Sequence, residues 1–509
     1  MHSVQRQILT LVVSLAALVA TAQVSIDYSV GLLCNAGKGD FAPYYIASNS
    51  GGVATSASSG LLRAGAFIPM DYNRRFSFAA GIDLVGGAAK GVDYLTDNGT
   101  VSLKPSSFFI QQAYAEIKYR RVFLSVGMKE RNSFLHNPRL SSGDFVEGNN
   151  ARPIPQVRLG FIDFVDVPFT NYWLQIQAEY SFGKSTDSKW LRNHICSRNN
   201  LGLTTGWFYS YKRFFFRSDP AMPFSVTVGM QNAVQIGGDY TYLYYGYVEN
   251  PVAKKLKLTF KSFLHTIIPS SGNAPGNAEY YDGNSIGSWD FLARYRLPSG
   301  DCIKAYFQFP FEDGSGIGKL NGFDGVYGIE YSSESRSAVS GAVLEYIDFR
   351  NQSGPMHYAA GSIGGAAAGL GSATGADDYY NNFQYNGYMH HGMAIGLPFI
   401  KSTIYNTDGY MRIADNRIVG FHFGLSGYLS QKVDYRALFS YRRSLGTPIV
   451  PAVERRTDTS MLLEANCRDI FTSGLSLNAK IAFDSGTLYG DNFGAMIGIN
   501  YSGNLSFGK

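Results

Sequence analysis

The sequence is short of charged residues. Asp, Glu, Lys and Arg make up 16% of its 509 residues, whereas about 25% is usual for a soluble protein. The formal net charge is only +5, so the basic footprint of a nucleic-acid-binding protein is missing. Hydrophobic residues reach 45%, which is enough to bury a large core and excludes disorder as a description of the whole chain.

Cysteines are few and widely separated. Cys34, Cys196, Cys302 and Cys467 lie too far apart to form a zinc or redox motif. Two readings stay open for them: they pair in an oxidising envelope, or they are small buried thiols.

Long apolar runs are restricted to the N-terminus. In residues 1–22, Arg6 precedes an apolar stretch that ends in small residues at Ala20 and Ala22, which predicts a signal peptide cleaved after Ala22. An uncleaved anchor is disfavoured because the run 8–22 is shorter than the roughly 20 residues that span a bilayer. After residue 22 no stretch is long and apolar enough for a membrane helix.

Aromatic residues and glycine are abundant, and apolar residues alternate with polar ones. The sequence contains 35 Tyr, 35 Phe and 57 Gly. From Tyr172 to Phe182 one face is apolar and the other carries Gln175, Gln177 and Glu179. A period of two places successive side chains on opposite faces of a strand. Alternation alone also fits a soluble sandwich, but these segments have the roughly 9 to 11 residues of a membrane strand, with aromatics at their ends.

We therefore predict an all-β protein, an antiparallel outer-membrane β-barrel of about 18 strands in a Gram-negative bacterium, because open sheet edges cannot face lipid. Residues 23–509 would form this single domain, with long loops near 130–154, 266–288 and 350–388 that partly block the lumen. The predicted strands lie around 26–35, 75–84, 109–119, 121–128, 155–163, 172–182, 200–209, 223–232, 255–264, 289–297, 302–310, 323–332, 336–347, 400–413, 418–429, 433–443, 459–468, 473–484 and 493–502.

Motifs of known enzymes are missing, but an acidic cluster could carry chemistry. The sequence has no nucleophile elbow, zinc-protease helix or phosphate-binding glycine loop. Glu312 and Asp313, followed by Asp324, could accept hydrogen bonds from sugar hydroxyls, bind a hard cation or act as a glycosidase acid and base. An acidic turn between two strands is the simpler interpretation.

Three further groups have both a functional and a structural interpretation. His390 and His391 are weak metal ligands, because neighbours on an extended chain point to opposite faces, and structural hydrogen bonding is favoured. Arg442 belongs to a basic group in the late strands that could hold carboxylates of an acidic glycan or, as we favour, pair with lumen carboxylates such as Asp434 and Glu464. The four tryptophans, Trp173, Trp190, Trp207 and Trp289, could stack on sugars, although a membrane-boundary position is favoured.

Several segments, in order, resemble the Wzi-type capsule assembly family. They are NARPIPQ at 150–156, YWLQ at 172–175, GSWD at 287–290, FEDGSG at 311–316, YNGY at 385–388 and YRRSLGT at 441–447. The resemblance implies a barrel of about 18 strands, largely blocked by loops, that acts as a non-enzymatic lectin and retains capsular polysaccharide at the cell surface.

On this basis the expected partners are capsular or extracellular polysaccharide, outer-membrane lipid and the barrel-assembly machinery, with no cofactor or metal and a monomeric chain. The residues expected to contact carbohydrate are Glu312, Asp313, Asp324, Tyr385, His391 and Arg442. The alternatives are a porin-like channel, which would have an open lumen, and an outer-membrane hydrolase, which would need a nucleophile or a carboxylate pair in juxtaposition.

Overall fold

The protein is represented by a computed structural model that describes residues 24–243, 252–267, 283–312, 316, 321–354 and 377–507. The predicted signal peptide and Asp313 lie outside these residues, as do parts of the predicted loops 266–288 and 350–388.

Nineteen strand segments form one antiparallel sheet. Two of them, Gln156–Phe161 and Val165–Asp166, pair with the same neighbour and count as one barrel strand, which gives 18 strands (19 − 1). The strands are β1 (Val24–Lys38), β2 (Ser59–Ile68), β3 (Phe76–Ala89), β4 (Phe108–Tyr119), β5 (Val122–Met128), β6 (Gln156–Phe161 with Val165–Asp166), β7 (Leu174–Lys184), β8 (Phe208–Ser218), β9 (Phe224–Ile236), β10 (Asn284–Arg296), β11 (Cys302–Phe311), β12 (Gly325–Ser332), β13 (Gly341–Asp348), β14 (Ile418–Tyr428), β15 (Val433–Gly446), β16 (Pro451–Cys467), β17 (Leu475–Gly486) and β18 (Asn492–Phe507).

The sheet closes on itself. Strand β1 pairs with β2 on one side and with β18 on the other, in a register that runs from Val24 opposite Phe507 to Lys38 opposite Phe493. Every barrel strand therefore has two neighbours, and no row of unpaired backbone groups faces the surroundings.

The polarity of the two barrel faces is the reverse of that in a soluble protein. On β7 the polar residues Gln177, Glu179 and Ser181 are buried in the lumen. Large apolar residues point outward, and Leu344 and Leu463 are 56% and 60% exposed. An outward apolar band and a polar interior are what a lipid environment requires of a barrel, and this arrangement explains the low content of charge.

The two ends of the barrel differ in their connections. Both ends of the described sheet and eight short connections, such as 120–121 and 429–432, lie at one end of the barrel, which we call the turn end. The strands joined by the long connections 39–58, 90–107, 129–155, 185–207, 237–283 and 349–417 end and restart at the other end, which we call the loop end and which also carries the short turns 447–450 and 487–491. Outer-membrane barrels have short periplasmic turns and longer extracellular loops, so the loop end corresponds to the cell exterior.

Loop 129–155 runs down the lumen. The backbone nitrogens of Ser142 and Phe145 donate to Glu345 Oε2 on β13 and Gln308 Oε1 on β11, each at 2.8 Å. The carbonyl oxygen of Leu140 lies 2.7 Å from Nε2 of His422 on β14. This loop is thereby fixed to the barrel wall at several heights.

Two other segments pack against loop 129–155 inside the barrel. The described part of the last long loop, 377–417, contributes Tyr388, whose hydroxyl donates to Val146 O at 2.8 Å. The short helix α1 (Tyr44–Ala47) is held by a 2.9 Å bond from Tyr44 N to Asp484 on β17. Together with loop 129–155, these segments block the lumen.

Three predicted strands are wrong or misplaced. The range 255–264 contains only the end of a short strand, Val252–Leu256, which pairs with Gly238–Tyr242 outside the barrel sheet. After helix α2 (Ser188–His194) in the loop 185–207, the chain forms helix α3 (Phe260–Ile267) at this place. Its apolar residues recur with helical spacing at Phe260, Phe263, Leu264 and Ile267, and Thr259 caps it, because Ser262 N donates to Thr259 Oγ1.

The range 400–413 forms no barrel strand, and its only regular element is the 3₁₀ turn Thr403–Tyr405. Its apolar residues are buried among other loops, so no outward face exists. The range 200–209 reaches only the first residues of β8. Two barrel strands, β2 and β8, were not predicted, because alanines in β2 and the run Phe214–Phe216 in β8 obscure the alternation.

No helix within the described ranges is long and apolar enough to cross a membrane. All four cysteines are free thiols, and Cys34 is exposed whereas Cys196 is buried. Among the described residues no group of three or more His, Cys, Asp and Glu could hold a metal ion.

Candidate functional site

The acidic residues selected from the sequence hold loop 377–417 in place. Glu312 accepts hydrogen bonds from the backbone of Tyr380 at 2.8 Å and Asp378 at 3.2 Å. Burial, together with the Asp377 and Asp378 carboxylates, raises the pKa of Glu312 well above its usual value. Asp324 is 1% exposed, and its oxygens accept from the backbone nitrogens of residues 351 and 352.

Asp324 also accepts from the Tyr379 hydroxyl at 3.0 Å. Burial raises the pKa of Asp324 to about 6. Asp324 directly precedes β12 and accepts hydrogen bonds from loop backbone and from a tyrosine hydroxyl. Its structural role is therefore to attach the loops to the start of β12. The contact of these carboxylates with carbohydrate remains a prediction.

Tyr385, His391 and Arg442 are not brought together with the acidic pair. Tyr385 is buried in loop 377–417. Arg442 is 0% exposed, lies over the ring of Tyr44 with 3.7 Å from its Cζ to the ring centroid, and pairs with Asp458 at 3.2 Å. Among the five predicted carbohydrate-contact residues that the structure describes, His391 alone lines an open cleft.

Three other late arginines are paired with lumen or loop carboxylates. Arg436 pairs with Glu464, Arg468 with Asp434, and Arg456 with Asp415, at 2.5, 2.7 and 2.9 Å. A cavity of about 320 Å³ at the turn end is lined by Arg139, Arg468 and Asp434. Both of its arginines bond to the same carboxylate, so its charges are satisfied internally.

A cleft at the loop end has a different character. It has a volume of about 410 Å³, within the roughly 300–1,000 Å³ of small-molecule sites. Five loops converge on it. Its lining includes Phe41, Val92, Tyr94, Lys104, Ser106, Arg152, Thr186, Lys189, Trp190, Asn193, His194, His391 and Ile404.

One wall of the cleft is aromatic. Trp190 and His194 lie one turn apart on helix α2 (Ser188–His194), and their rings stack with centroids 4.0 Å apart. Tyr94, on the strand Val92–Thr96 of a short hairpin, meets His194 edge-on at 4.7 Å, and its hydroxyl donates to Ile404 O. Flat rings with a polar edge present the amphipathic surface on which sugar rings stack.

The turn beside Trp190 needs glycine. His391 and Gly392 have φ values of +50° and +77° between two short strands, Met389–His390 and Met393–Ala394, and positive φ at both central residues is typical of a tight hairpin turn. A Cβ atom on Gly392 would lie 2.3 Å from Trp190 Cζ2. Gly392 therefore permits both the turn that carries His391 and the position of the indole.

The cleft is positively charged and contains no opposing carboxylate. Within the described part of the chain, Lys104, Arg152 and Lys189 form no ion pair, and neither Asp nor Glu lines the cleft. Arg152 lies over the ring of Phe109, with its Cζ 3.7 Å from the centroid, and burial lowers its pKa to about 10. Arg152 is therefore charged at neutral pH, and no carboxylate of the described residues pairs with any of the three side chains.

The histidines of the cleft are neutral at pH 7. Burial lowers the pKa of His194 to about 4. Burial also lowers the pKa of His391, to which the nearby His390, Arg152 and His194 add. The neutral imidazole of His391 can therefore donate or accept a hydrogen bond with a ligand.

Sequence reasoning missed most of the cleft. Lys104 and Lys189 occur in unremarkable loop sequence, and Arg152 was noted only as part of the segment NARPIPQ at 150–156. Only the spatial convergence of the loops shows that the three share a cleft without a carboxylate among the described residues. Trp190 and Trp207 are not at the membrane boundary: Trp190 lines the cleft and Trp207 is 2% exposed among loop residues. Trp173 is exposed at the turn end, as a boundary residue would be.

Comparison with solved structures gives the same fold. Wzi of Escherichia coli, described as an outer-membrane protein involved in group 1 capsule assembly and as a carbohydrate-binding β-barrel, aligns with a TM-score of 0.53 and 13% identity over 95% of this chain and 85% of Wzi. This protein is an outer-membrane β-barrel.

The other similar structures include OccAB4 of Acinetobacter baumannii and OccK3 of Pseudomonas aeruginosa. They have TM-scores of 0.44 and 0.45, identities of 11% and 10%, and cover 95% and 96% of this chain and 99% and 97% of their own. No family model and no curated protein matches the sequence.

Proposed function

We propose that this barrel is a non-enzymatic, lectin-like protein that attaches capsular or extracellular polysaccharide to the cell surface through the loop-end cleft. In this proposal the chain reaches the outer membrane after cleavage near Ala22, is inserted by the barrel-assembly machinery and acts as a monomer. The likeness in fold to Wzi, itself a carbohydrate-binding barrel, supports a role of this class.

The observation that carries the proposal is the combination of an aromatic wall with three unpaired cations. An aromatic face suits the apolar side of a sugar ring, and guanidinium and ammonium groups form strong hydrogen bonds to carboxylates. The cleft therefore favours a glycan that carries carboxylate groups, such as a polymer containing uronic acids. A repeating glycan would convert weak single contacts into stable retention.

The alternatives have less support. A channel would need an open lumen, whereas loops 129–155 and 377–417 fill the barrel. A glycosidase would need two carboxylates facing a cleft at a fixed separation. Glu312 and Asp324 instead accept hydrogen bonds from loop backbone.

A binding experiment tests the cleft. The purified barrel would be titrated with an oligogalacturonate, in which every sugar carries a carboxylate, and with a neutral dextran oligomer of matched length. Replacing Arg152 with Gln should weaken the acidic glycan about 10- to 100-fold, the factor for loss of a charged hydrogen bond worth roughly 1.5–3 kcal/mol. Arg198→Gln, an exposed arginine outside the cleft, is the matched control.

The aromatic wall has its own pair of variants. Trp190→Ala should weaken both glycans, because stacking does not depend on charge, whereas Trp173→Ala at the turn end should weaken neither. Equal affinity of wild type and Arg152→Gln for the acidic oligomer would refute the assignment of the cleft.

A cellular experiment tests the role itself. In cells lacking the gene we expect the polysaccharide to move from the cell-bound fraction to the medium at unchanged total synthesis. Wild-type protein should restore retention, and Arg152→Gln or Trp190→Ala should not, at equal barrel levels in the membrane. An intact cell-bound layer in the deletion strain would refute the attachment function.

A further inference from the structure

An amphipathic segment leads from a loop-end strand onto the outer wall of the barrel and shares no residue with the cleft. It comprises residues 254–267 and includes helix α3 (Phe260–Ile267). The Phe263 ring meets Tyr180 and Phe182, with centroids 6.4 and 5.2 Å away. Both tyrosine and phenylalanine stand on the outward face of β7, opposite in direction to the buried lumen residues Glu179 and Ser181.

The helix covers a lysine on the lipid-facing side of the wall. Lys212 of β8 shares the outward face with Phe214 and Phe216, which are 39% and 44% exposed. Its ammonium donates to Thr266 O at 2.7 Å, and the Tyr180 hydroxyl bonds to Thr266 Oγ1 at 2.9 Å. A bare ammonium in lipid is costly, and the carbonyl near the helix end supplies an acceptor that lipid chains lack.

The other face of the helix is apolar and uncovered. Phe260, Leu264 and Ile267 are 77%, 43% and 40% exposed. Because the helix sits on the outward wall, this face continues the apolar band of the barrel rather than facing water. A helix that lies along a membrane surface has this distribution, with one apolar side and basic residues beside it.

The same segment is strongly basic. It contains four exposed lysines, Lys254, Lys255, Lys257 and Lys261, and no acidic residue. The cross-strand neighbour of Lys255 is Asp239, but within the described residues none of the four lysines forms an ion pair. Four unneutralised positive charges beside an exposed apolar helix face require an anionic, chain-bearing partner.

We propose that segment 254–267 is a lipid-binding element that engages an outer-leaflet lipid with a net anionic phosphate headgroup. The lysines contact the headgroup phosphates, and Phe260, Leu264 and Ile267 contact the acyl chains. This lipid site and the glycan cleft share no residue. The lipid proposal and the glycan proposal can therefore be refuted separately.

Native mass spectrometry of the full-length barrel tests the headgroup preference. The protein would be released from detergent after incubation with phosphatidylglycerol or with phosphatidylcholine of the same chain length. We expect wild type to retain phosphatidylglycerol preferentially. Lys257→Gln with Lys261→Gln should lower its affinity about 25-fold, since a lysine near an anionic surface contributes a factor of about five.

The matched control replaces two exposed lysines elsewhere, Lys90 and Lys432, with glutamine. This pair should retain phosphatidylglycerol as wild type does, and a heat-shifted gel migration would show that all variants form the barrel. Equal retention of the two lipids by wild type, or unchanged retention by the Lys257 and Lys261 variant, would overturn the proposal. A lipid-free dimer in the spectra would also overturn it, because a second copy would then cover the helix.

Quenching measures the apolar contact separately. Phe260→Trp adds an indole to the exposed face, and its emission is obtained by difference from wild type. Phosphatidylglycerol brominated on its acyl chains should quench this added emission. An unquenched indole at position 260 in the folded barrel would place the helix face in water and contradict the proposal.

Discussion

Substituting Glu179 with glutamine should destabilise the barrel, because this carboxylate neutralises several buried arginines at once. Glu179 stands on the lumen face of β7 and is 4% exposed. It lies 2.5 Å from Arg158 of β6, 2.7 Å from Arg213 of β8 and 3.5 Å from Arg131 of the lumen loop. The cluster thus joins three wall strands to loop 129–155.

The magnitude follows from which charges lose their partner. Removing one member of a buried ion pair costs roughly 3–5 kcal/mol, because the other charge remains buried. Arg158 keeps Glu147 at 2.7 Å, whereas Glu179 is the only ion-pair partner that the described residues offer Arg213. We therefore expect Glu179→Gln to lower the free energy of unfolding by about 3 kcal/mol, the lower end of that range.

The assay is urea unfolding in detergent micelles, followed by tryptophan fluorescence. Glu454→Gln, which removes an exposed carboxylate from β16, is the control and should stay within about 0.5 kcal/mol of wild type. Adding Arg213→Met to Glu179→Gln removes the stranded charge, so the double variant should lose less than the sum of the two single losses. Additive losses, or a Glu179→Gln barrel as stable as wild type, would refute the reasoning.

Three further predictions concern the lumen and the loops. Phe145→Ala should cost about 3–5 kcal/mol of unfolding free energy, because Phe145 is fully buried against Phe349, Tyr379 and Tyr380; a smaller loss in urea unfolding would mean that the loop core is loosely packed. Planar-bilayer recordings should show no steady conductance for wild type and an open channel after deletion of 131–146, and an open wild-type channel would contradict the blocked lumen. Burial lowers the pKa of His390 to about 4, so the unfolded chain binds the extra proton between about pH 6.5 and 4. The stability of wild type relative to His390→Gln should therefore be constant above pH 6.5 and fall towards pH 4, and a difference independent of pH in urea unfolding would disprove this.

The barrel could be predicted from sequence because its two faces differ in polarity along most strands. Where a strand departs from that rule, prediction failed for a physical reason. In β8, Lys212 faces outward and Phe215 faces inward, so the expected alternation is inverted at both positions. The lysine is tolerated because helix α3 covers it, and that contact comes from a segment more than forty residues away in sequence. A sequence period cannot reveal such compensation.

The predicted strand at 255–264 is wrong for a related reason, since helix α3 begins within this range. Residues 256–261 alternate apolar and polar, which is a short stretch of period two. The helical period becomes distinct only when Phe263, Leu264 and Ile267 are included, and the Thr259 cap is what starts the helix. A short alternating stretch should therefore be assigned to a barrel strand only when no helix-capping residue, such as Thr259, lies within it.

Buried charge is a poor guide to function inside a barrel whose lumen is packed with loops. In a soluble protein or a membrane helix, a buried ionisable group suggests a functional site. Here the lumen must be polar, so residues such as Asp324, bonded to loop backbone, and Arg442, stacked on Tyr44, are buried because they bind loops to the wall. A group of charges without a partner is more informative: Lys104, Arg152 and Lys189 converge on an open cleft in which no described carboxylate lies. Lys104 and Lys189 are exposed, so leaving their charges unpaired costs little. Together with Arg152 they can bind a ligand that brings the opposite charge.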